Sequence, residues 1–157
     1  MAKKVLTLMD NVKFIVAGSG DRFHSTVYQA SEMGIGHKVR FTGFLRGHDV
    51  AQAFGMADLY VMPSVTEPFG IAALEAVSHG VPVIISKSSG VSEVLEHALK
   101  VDFWDIEEMA NKIVAVLRHP PLASTLREHA LAEIRQMTWD KAAGACLQLY
   151  HLLLRTG

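Results

Sequence analysis

Two carboxylates stand out in the segment PSVTEPFGIAALEAVSHG, residues 63–80. Glu67 and Glu75 lie eight positions apart, and from Phe69 onward their surroundings are mostly apolar or glycine. A carboxylate removed from water is costly unless something pairs with it. A lysine or arginine could pair with Glu75 while solvent serves Glu67, or the hydroxyls of a sugar-like ligand could satisfy both. Pro68 biases Glu67 away from helical dihedrals and suits the opening turn of the helix that follows. Gly70 is expected in that first turn, where the missing side chain exposes backbone N–H groups. Such amides, with the helix dipole, favour an anion or an oxygen-rich group. Glu75 falls ~8 Å further along the helix axis from Gly70. Between them Ile71, Ala72, Ala73 and Leu74 are expected to pack the helix on a sheet.

The elements that must position these groups alternate along the chain. KFIVAG (13–18), KVRFTG (38–43), LYVMP (59–63), VPVIIS (81–86) and LKVDF (99–103) read as strands. They are short, rich in β-branched residues and bounded by Gly or Pro, as buried parallel strands tend to be. Helices are expected at 22–34, 48–56, 69–79 and 91–98. After Asp105 the pattern is helical alone: DIEEMANKIVAVLRH stops at Pro120-Pro121, and two more helices follow at about 122–136 and 139–154. The fold class is therefore α/β: a Rossmann-like open parallel sheet with helices on both faces and a helical C-terminal tail. Residues 1–157 form a single domain. KKVLTLMDNV at the start reads as the last turns of a helix, so a preceding first strand is expected to be missing.

Ligands of an open parallel sheet gather at the carboxyl ends of its strands. Four such ends are GSGD (18–21), GFLRG (43–47), PSVTEPFG (63–70) and SKSSG (86–90). The first is not a dinucleotide fingerprint, because Phe23 occupies the small-residue position and the second strand ends in FTG with no acid. Gly18 and Gly20 remain candidates for close backbone approach to a ligand, or for a tight turn alone.

Composition excludes several functional classes. The chain is long enough to bury roughly 70% of its unfolded surface. Half of its 157 residues are hydrophobic and the formal net charge is −1, with no basic run suited to nucleic acid. Cys146 is the one cysteine, so no internal disulfide or paired-thiolate zinc site can form. It sits in an apolar helical run, where a buried, inert thiol is expected. The eight histidines show no ligand spacing, and there is no Asp-x-Asp pair. No signal peptide and no apolar run near the ~20 residues of a membrane span is present, so a cytoplasmic setting is expected.

The stretch ADLYVMPSVTEPFGIAALEAVSHGVPVIIS resembles the C-terminal, nucleotide-sugar-binding domain of retaining glycosyltransferases of family 4, which have the two-domain GT-B architecture. Glu67 and Glu75 match the family's Glu-x7-Glu motif, with PS (63–64), EPFG (67–70), LEA (74–76), GVPV (80–83) and GVSEV (90–94) in the surrounding pattern. The similarity runs from about Val12 to Leu153. It implies that Glu67 is the catalytic-site carboxylate beside the transferred sugar, and that Glu75 accepts hydrogen bonds from the ribose. It implies that the backbone at Phe69, Gly70 and Ile71 meets the sugar and diphosphate, and that Phe44 and Leu45 face the base.

The implied partner is a nucleotide-diphosphate sugar, with no metal or other cofactor. The leaving diphosphate would help deprotonate an acceptor hydroxyl on the same face. The acceptor, a carbohydrate or lipid, would be held by a separate N-terminal domain, and peripheral membrane association of a full-length protein stays open. The chain departs from the family at the phosphate-binding arginine and lysine, which Lys3 and Lys4 do not reproduce; Lys87, Arg22 and Arg46 lie in neighbouring loops. This chain alone is expected to be inactive in transfer. The alternative is a stand-alone nucleotide-sugar-binding or interaction module.

Overall fold

The computed structural model describes residues 1–155. Five short strands alternate with helices: α1 (Ala2–Leu8), β1 (Phe14–Ala17), α2 (Phe23–Glu32), β2 (Val39–Gly43), α3 (His48–Gly55), β3 (Tyr60–Met62), α4 (Ile71–Ser78), β4 (Val83–Ser86) and β5 (Leu99–Val101). Three helices close the chain: α5 (Ile106–Arg118), α6 (Pro120–Ile134) and α7 (Trp139–Arg155). Every strand pair is parallel. The α/β reading holds, but the strands form two pieces, β1-β2 and β3-β4-β5, rather than one continuous sheet.

β4 is the buried centre of the larger piece. Its all-apolar VII run is explained by coverage of both faces, since successive side chains point to opposite sides. Val83 and Ile85 face a cluster with Met62, Val77, Val91 and Leu95, in which α4 and α6 pack. Ile84 faces the other way, toward Val5, Val101, Met109 and Ile113, beneath α1 and α5. Helices thus cover both faces of this piece.

Three element boundaries differ from the sequence pattern, each for a local reason. The helix expected at 91–98 is only a 3-10 turn, Gly90–Glu93. The amides of Glu96 and His97, which would continue it, instead donate to the Glu133 carboxylate on α6 at 3.0 and 3.3 Å. Pro120 and Pro121 end nothing inside α5; they open α6, two residues earlier than the pattern suggests, where a missing N–H costs no hydrogen bond. Finally, Gly70 precedes α4 rather than lying in its first turn, and Pro68 lies outside the helix.

Cys146 is exposed, not buried. No residue of α7 from Trp139 to Leu154 is buried, so an apolar sequence run there does not mean an apolar environment.

Candidate functional site

The loop after β3 carries Glu67, and the loop after β4 holds it in place. Ser86, fully buried, donates from Oγ to the Ser64 carbonyl at 2.7 Å, and Ser88 Oγ donates to the Val65 carbonyl at 3.1 Å. Gly90 N–H donates to the Glu67 carbonyl at 3.0 Å, and Glu67 and Ser89 form a parallel bridge. The serines of SKSSG are therefore spent on backbone, which satisfies polar groups that the loops would otherwise bury unpaired. They hold the two loops together.

Gly70 is buried with φ +101°, a left-handed conformation, and a β-carbon there would stand 2.8 Å from Val91 Cγ1. Only glycine fits both the turn and the contact. No side chain caps α4, so its leading amides have no side-chain acceptor. Ala73, Ala76 and Val77 seat α4 on the core. The expected packing role of Ile71 is not found: its side chain is 64% exposed, on the outer side of the first turn. Phe69 is exposed as well.

Glu75 projects from α4 into a cavity of about 280 Å³, also lined by Gly18, Phe44, Leu45, Tyr60 and Ala72. Four of the expected binding residues, Glu75, Gly18, Phe44 and Leu45, thus share one cavity although they come from three separate segments. Gly20 faces a second cavity of about 190 Å³, with Ser19 and Arg22, and Gly18 lines both. Gly18 and Gly20 have φ +133° and +154°, and a β-carbon on either would meet nothing within 4 Å. Backbone conformation, rather than crowding, demands glycine there.

Tyr60 links the two glutamates. Burial lifts its phenol above the ordinary value of 10.0, and the charges of Glu67 and then Glu75 push it the same way. Both carboxylates therefore act on one phenol at the edge of the cavity. Neither makes an ion pair with a basic side chain among the described residues, so the pairing of Glu75 with a neighbouring lysine or arginine does not occur. Tyr60 is a residue that the sequence reading missed. Its signal was a phenol at the head of an otherwise apolar strand, a group that seeks a polar partner when buried.

The three candidate cations are placed differently. Lys87 is engaged by Asp102 at 2.7 Å, and that hydrogen bond is the main cause that raises its pKa. Arg46 lies with its guanidinium 5.2 Å from the centroid of the Phe44 ring, beside the cavity mouth. Arg22 lines the smaller cavity. Among the described residues no cluster of three or more His, Cys, Asp or Glu is placed to hold a metal ion, and no helix is long and apolar enough to cross a membrane.

Residues 1–132 match the family described as glycosyl transferases group 1. The chain belongs to that family. A glycosyltransferase of Methanocaldococcus jannaschii, itself uncharacterized, is 42% identical over 149 residues, which are 92% of this chain and 38% of that protein. Sucrose-phosphate synthase from Thermosynechococcus elongatus superposes with a TM-score of 0.78 at 26% identity, over 99% of this chain and 42% of that one. HepE of Anabaena, solved in complex with UDP-glucose, superposes with a TM-score of 0.73 at 25% identity, over 84% of this chain and 39% of its own. These neighbours are GT-B-type glycosyltransferases. The chain spans well under half the length of each of these relatives.

Proposed function

We propose that this chain is the donor-binding, C-terminal domain of a retaining, family 4 glycosyltransferase that transfers a hexosyl group from a nucleotide-diphosphate sugar in the cytoplasm. The observation that carries the reading is the cavity that Glu75 lines together with Gly18, Phe44, Leu45 and Tyr60, with Glu67 near enough for its charge to act on Tyr60 and neither carboxylate paired with a basic side chain among the described residues. Two unpaired carboxylates repel inorganic anions but accept hydrogen bonds from neutral hydroxyls. A nucleotide sugar brings such hydroxyls at both ends of its diphosphate. On this reading Glu75 holds the ribose, Phe44 and Leu45 face the base, and Glu67 contacts the transferred sugar.

The backbone at Phe69, Gly70 and Ile71 meets the sugar and diphosphate, with the uncapped start of α4 adding its dipole. The chain's task in catalysis is electrostatic: orient the sugar and stabilise the leaving diphosphate, which takes the acceptor proton. No metal enters this scheme. The acceptor half lies outside these residues, so the 157-residue chain binds donor without transferring it.

Isothermal titration of the chain with UDP and UDP-glucose, then with guanosine and adenosine counterparts, tests the reading. A hydrogen bond to a charged group is worth ~1.5–3 kcal/mol, so Glu75→Gln is expected to weaken UDP and UDP-sugar alike by ~10- to 150-fold. Glu67→Gln is expected to weaken the sugar nucleotide and leave UDP unchanged. Equal effects of the two substitutions on free UDP, or no binding of any of these nucleotides at millimolar concentration, would overturn it.

A further inference from the structure

Arg46 is a cation beside the larger cavity that has no task in the scheme so far. Lys87 is held by Asp102, whereas the Arg46 guanidinium makes no ion pair and no hydrogen bond among the described residues. What it meets is the ring of Phe44, whose centroid lies 5.2 Å from the guanidinium carbon. A cation over an aromatic face is held by the ring quadrupole. That contact uses none of the five N–H donors as hydrogen bonds. Phe44 is itself 66% exposed and lines the cavity, so one ring serves both the arginine and the cavity.

The turn that carries this pair is tied down at both ends. Gly43 ends β2 with φ +71°, and its carbonyl accepts from Gly18 N–H at 2.8 Å and from Thr42 Oγ1 at 3.0 Å. Gly47 opens α3 with φ +50°. The Arg46 and Gly47 carbonyls accept from the Asp49 and Val50 amides at 3.1 and 3.2 Å. The backbone beneath Phe44, Leu45 and Arg46 is thus fastened to β1 on one side and to α3 on the other. Val50, Ala53 and Phe54 of α3 continue the cavity wall. An apolar wall that ends in an aromatic ring and an unengaged guanidinium suits a flat heterocycle, apolar on its faces and polar on its edge.

Which heterocycle it suits follows from the donor pattern. A guanidinium is a rigid fork of donors that matches two neighbouring acceptors. Guanine presents O6 and N7 side by side as acceptors, whereas adenine sets an amino donor beside its N7, and uracil offers O4 alone on that edge. We propose that Arg46 selects the base of the donor, donating two hydrogen bonds to O6 and N7 of guanine while the base lies against Phe44, so that the donor is a guanosine-diphosphate sugar. This rests on the donor-binding reading above and adds to it the identity of the base. Glu75 at the ribose and Arg46 at the base edge then hold opposite ends of one nucleoside, the carboxylate accepting and the guanidinium donating. The diphosphate is met elsewhere, at the leading amides of α4.

The probes are GDP, IDP, 7-deaza-GDP, ADP and UDP, titrated into the chain and into Arg46→Met by calorimetry. IDP keeps both O6 and N7, and 7-deaza-GDP loses N7. A bidentate arginine contact discriminates between bases by about 5- to 150-fold. The chain is therefore expected to bind GDP and IDP alike, and both more tightly than ADP and UDP by that factor, with 7-deaza-GDP in between. Arg46→Met is expected to bring GDP and IDP down to the level of ADP and UDP, which it leaves within about twofold of their former affinity. Equal binding of GDP, ADP and UDP by the parent chain, or a preference for UDP, would overturn the proposal and leave the donor-binding reading intact, and the parent chain gives this answer without any variant. An equal loss for all five nucleotides in Arg46→Met would also overturn it, because the arginine would then be reading the diphosphate. Binding of no nucleotide would remove the donor-binding reading and this proposal together.

Discussion

Gly90→Ala tests the geometry that holds Glu67. A β-carbon at Gly90 would stand 2.2 Å from the Pro68 carbonyl oxygen, 3.0 Å from its carbonyl carbon and 3.1 Å from Phe69 Cα. All three atoms are backbone, so no side-chain rotation relieves the clash. Ordinary contact lies near 3.5 Å, and the loop must retreat by more than about 1 Å. The Gly90 N–H to Glu67 carbonyl bond, 3.0 Å long, lies in the path of that retreat, as does the Glu67–Ser89 bridge. Overpacking costs ~1–3 kcal/mol and the lost hydrogen bond about 1 kcal/mol more. For a domain of this size each kcal/mol lowers Tm by roughly 2–4 °C, so a fall of about 5–15 °C is expected.

Thermal unfolding followed by circular dichroism measures the fall. Gly144→Ala is the control, because a β-carbon there meets nothing within 4 Å and the site is inside α7. Alanine is the better helix former by ~1 kcal/mol, so that variant is expected to melt at or above the parent temperature. A Gly90→Ala protein that unfolds within about 2 °C of the parent would refute the claim that the two loops are locked together there.

Other expectations follow from the same contacts. The native Tyr60 holds its proton above pH 10.0, where the unfolded chain begins to lose it, so stability is full below that pH and falls as pH rises toward the native value. Replacing Glu67 and Glu75 together by glutamine is expected to lower the Tyr60 pKa without restoring the ordinary value, since burial is the larger cause; NMR of ring-labelled tyrosine reads this, and an unmoved titration contradicts the placement. Glu133→Ala removes the acceptor for the Glu96 and His97 amides and is expected to cost ~1–3 kcal/mol in urea unfolding. Cys146 is exposed and is expected to react fully with a thiol reagent in the native protein; reaction only after denaturation would show that α7 is covered.

The strands were legible because each is a β-branched run closed by Gly or Pro, and β4 shows why this works: coverage on both faces requires VII without alternation. Glu67 and Glu75 stood out as candidates because carboxylates in an apolar run need a reason, although in the fold Glu75 is exposed and Glu67 only half-buried. Tyr60 was not, since its tie to them depends on how β3 sits beneath two loops, which no local pattern encodes. Gly70 was read as a helical residue because composition reveals that a glycine is needed, not which dihedral it adopts. The stretch 91–98 has helical character in isolation, yet Glu133, some 36 residues away, takes the amides that would extend it. Such long-range competition overrides propensity. The buried reading of Cys146 failed because apolar spacing reports a helix face, not whether anything covers it.

The two carboxylates rest on different supports, and this bears on how they can divide a ligand. Glu75 stands on α4, whose Ala73, Ala76 and Val77 are buried in the core, so the backbone that carries it moves only if the core moves. Glu67 stands on a loop fastened by hydrogen bonds from Ser86, Ser88 and Gly90, each worth ~1 kcal/mol. Local opening draws on the weakest contacts first, so the backbone under Glu67 can shift by small steps while the backbone under Glu75 stays fixed. On the proposed assignment the constant part of the donor, the nucleoside, meets the rigid support. The changing part, a sugar whose anomeric centre flattens during transfer, meets the adjustable one. A group that must follow charge and shape into a transition state is better carried on a loop tied by three hydrogen bonds than on a helix sealed into the core.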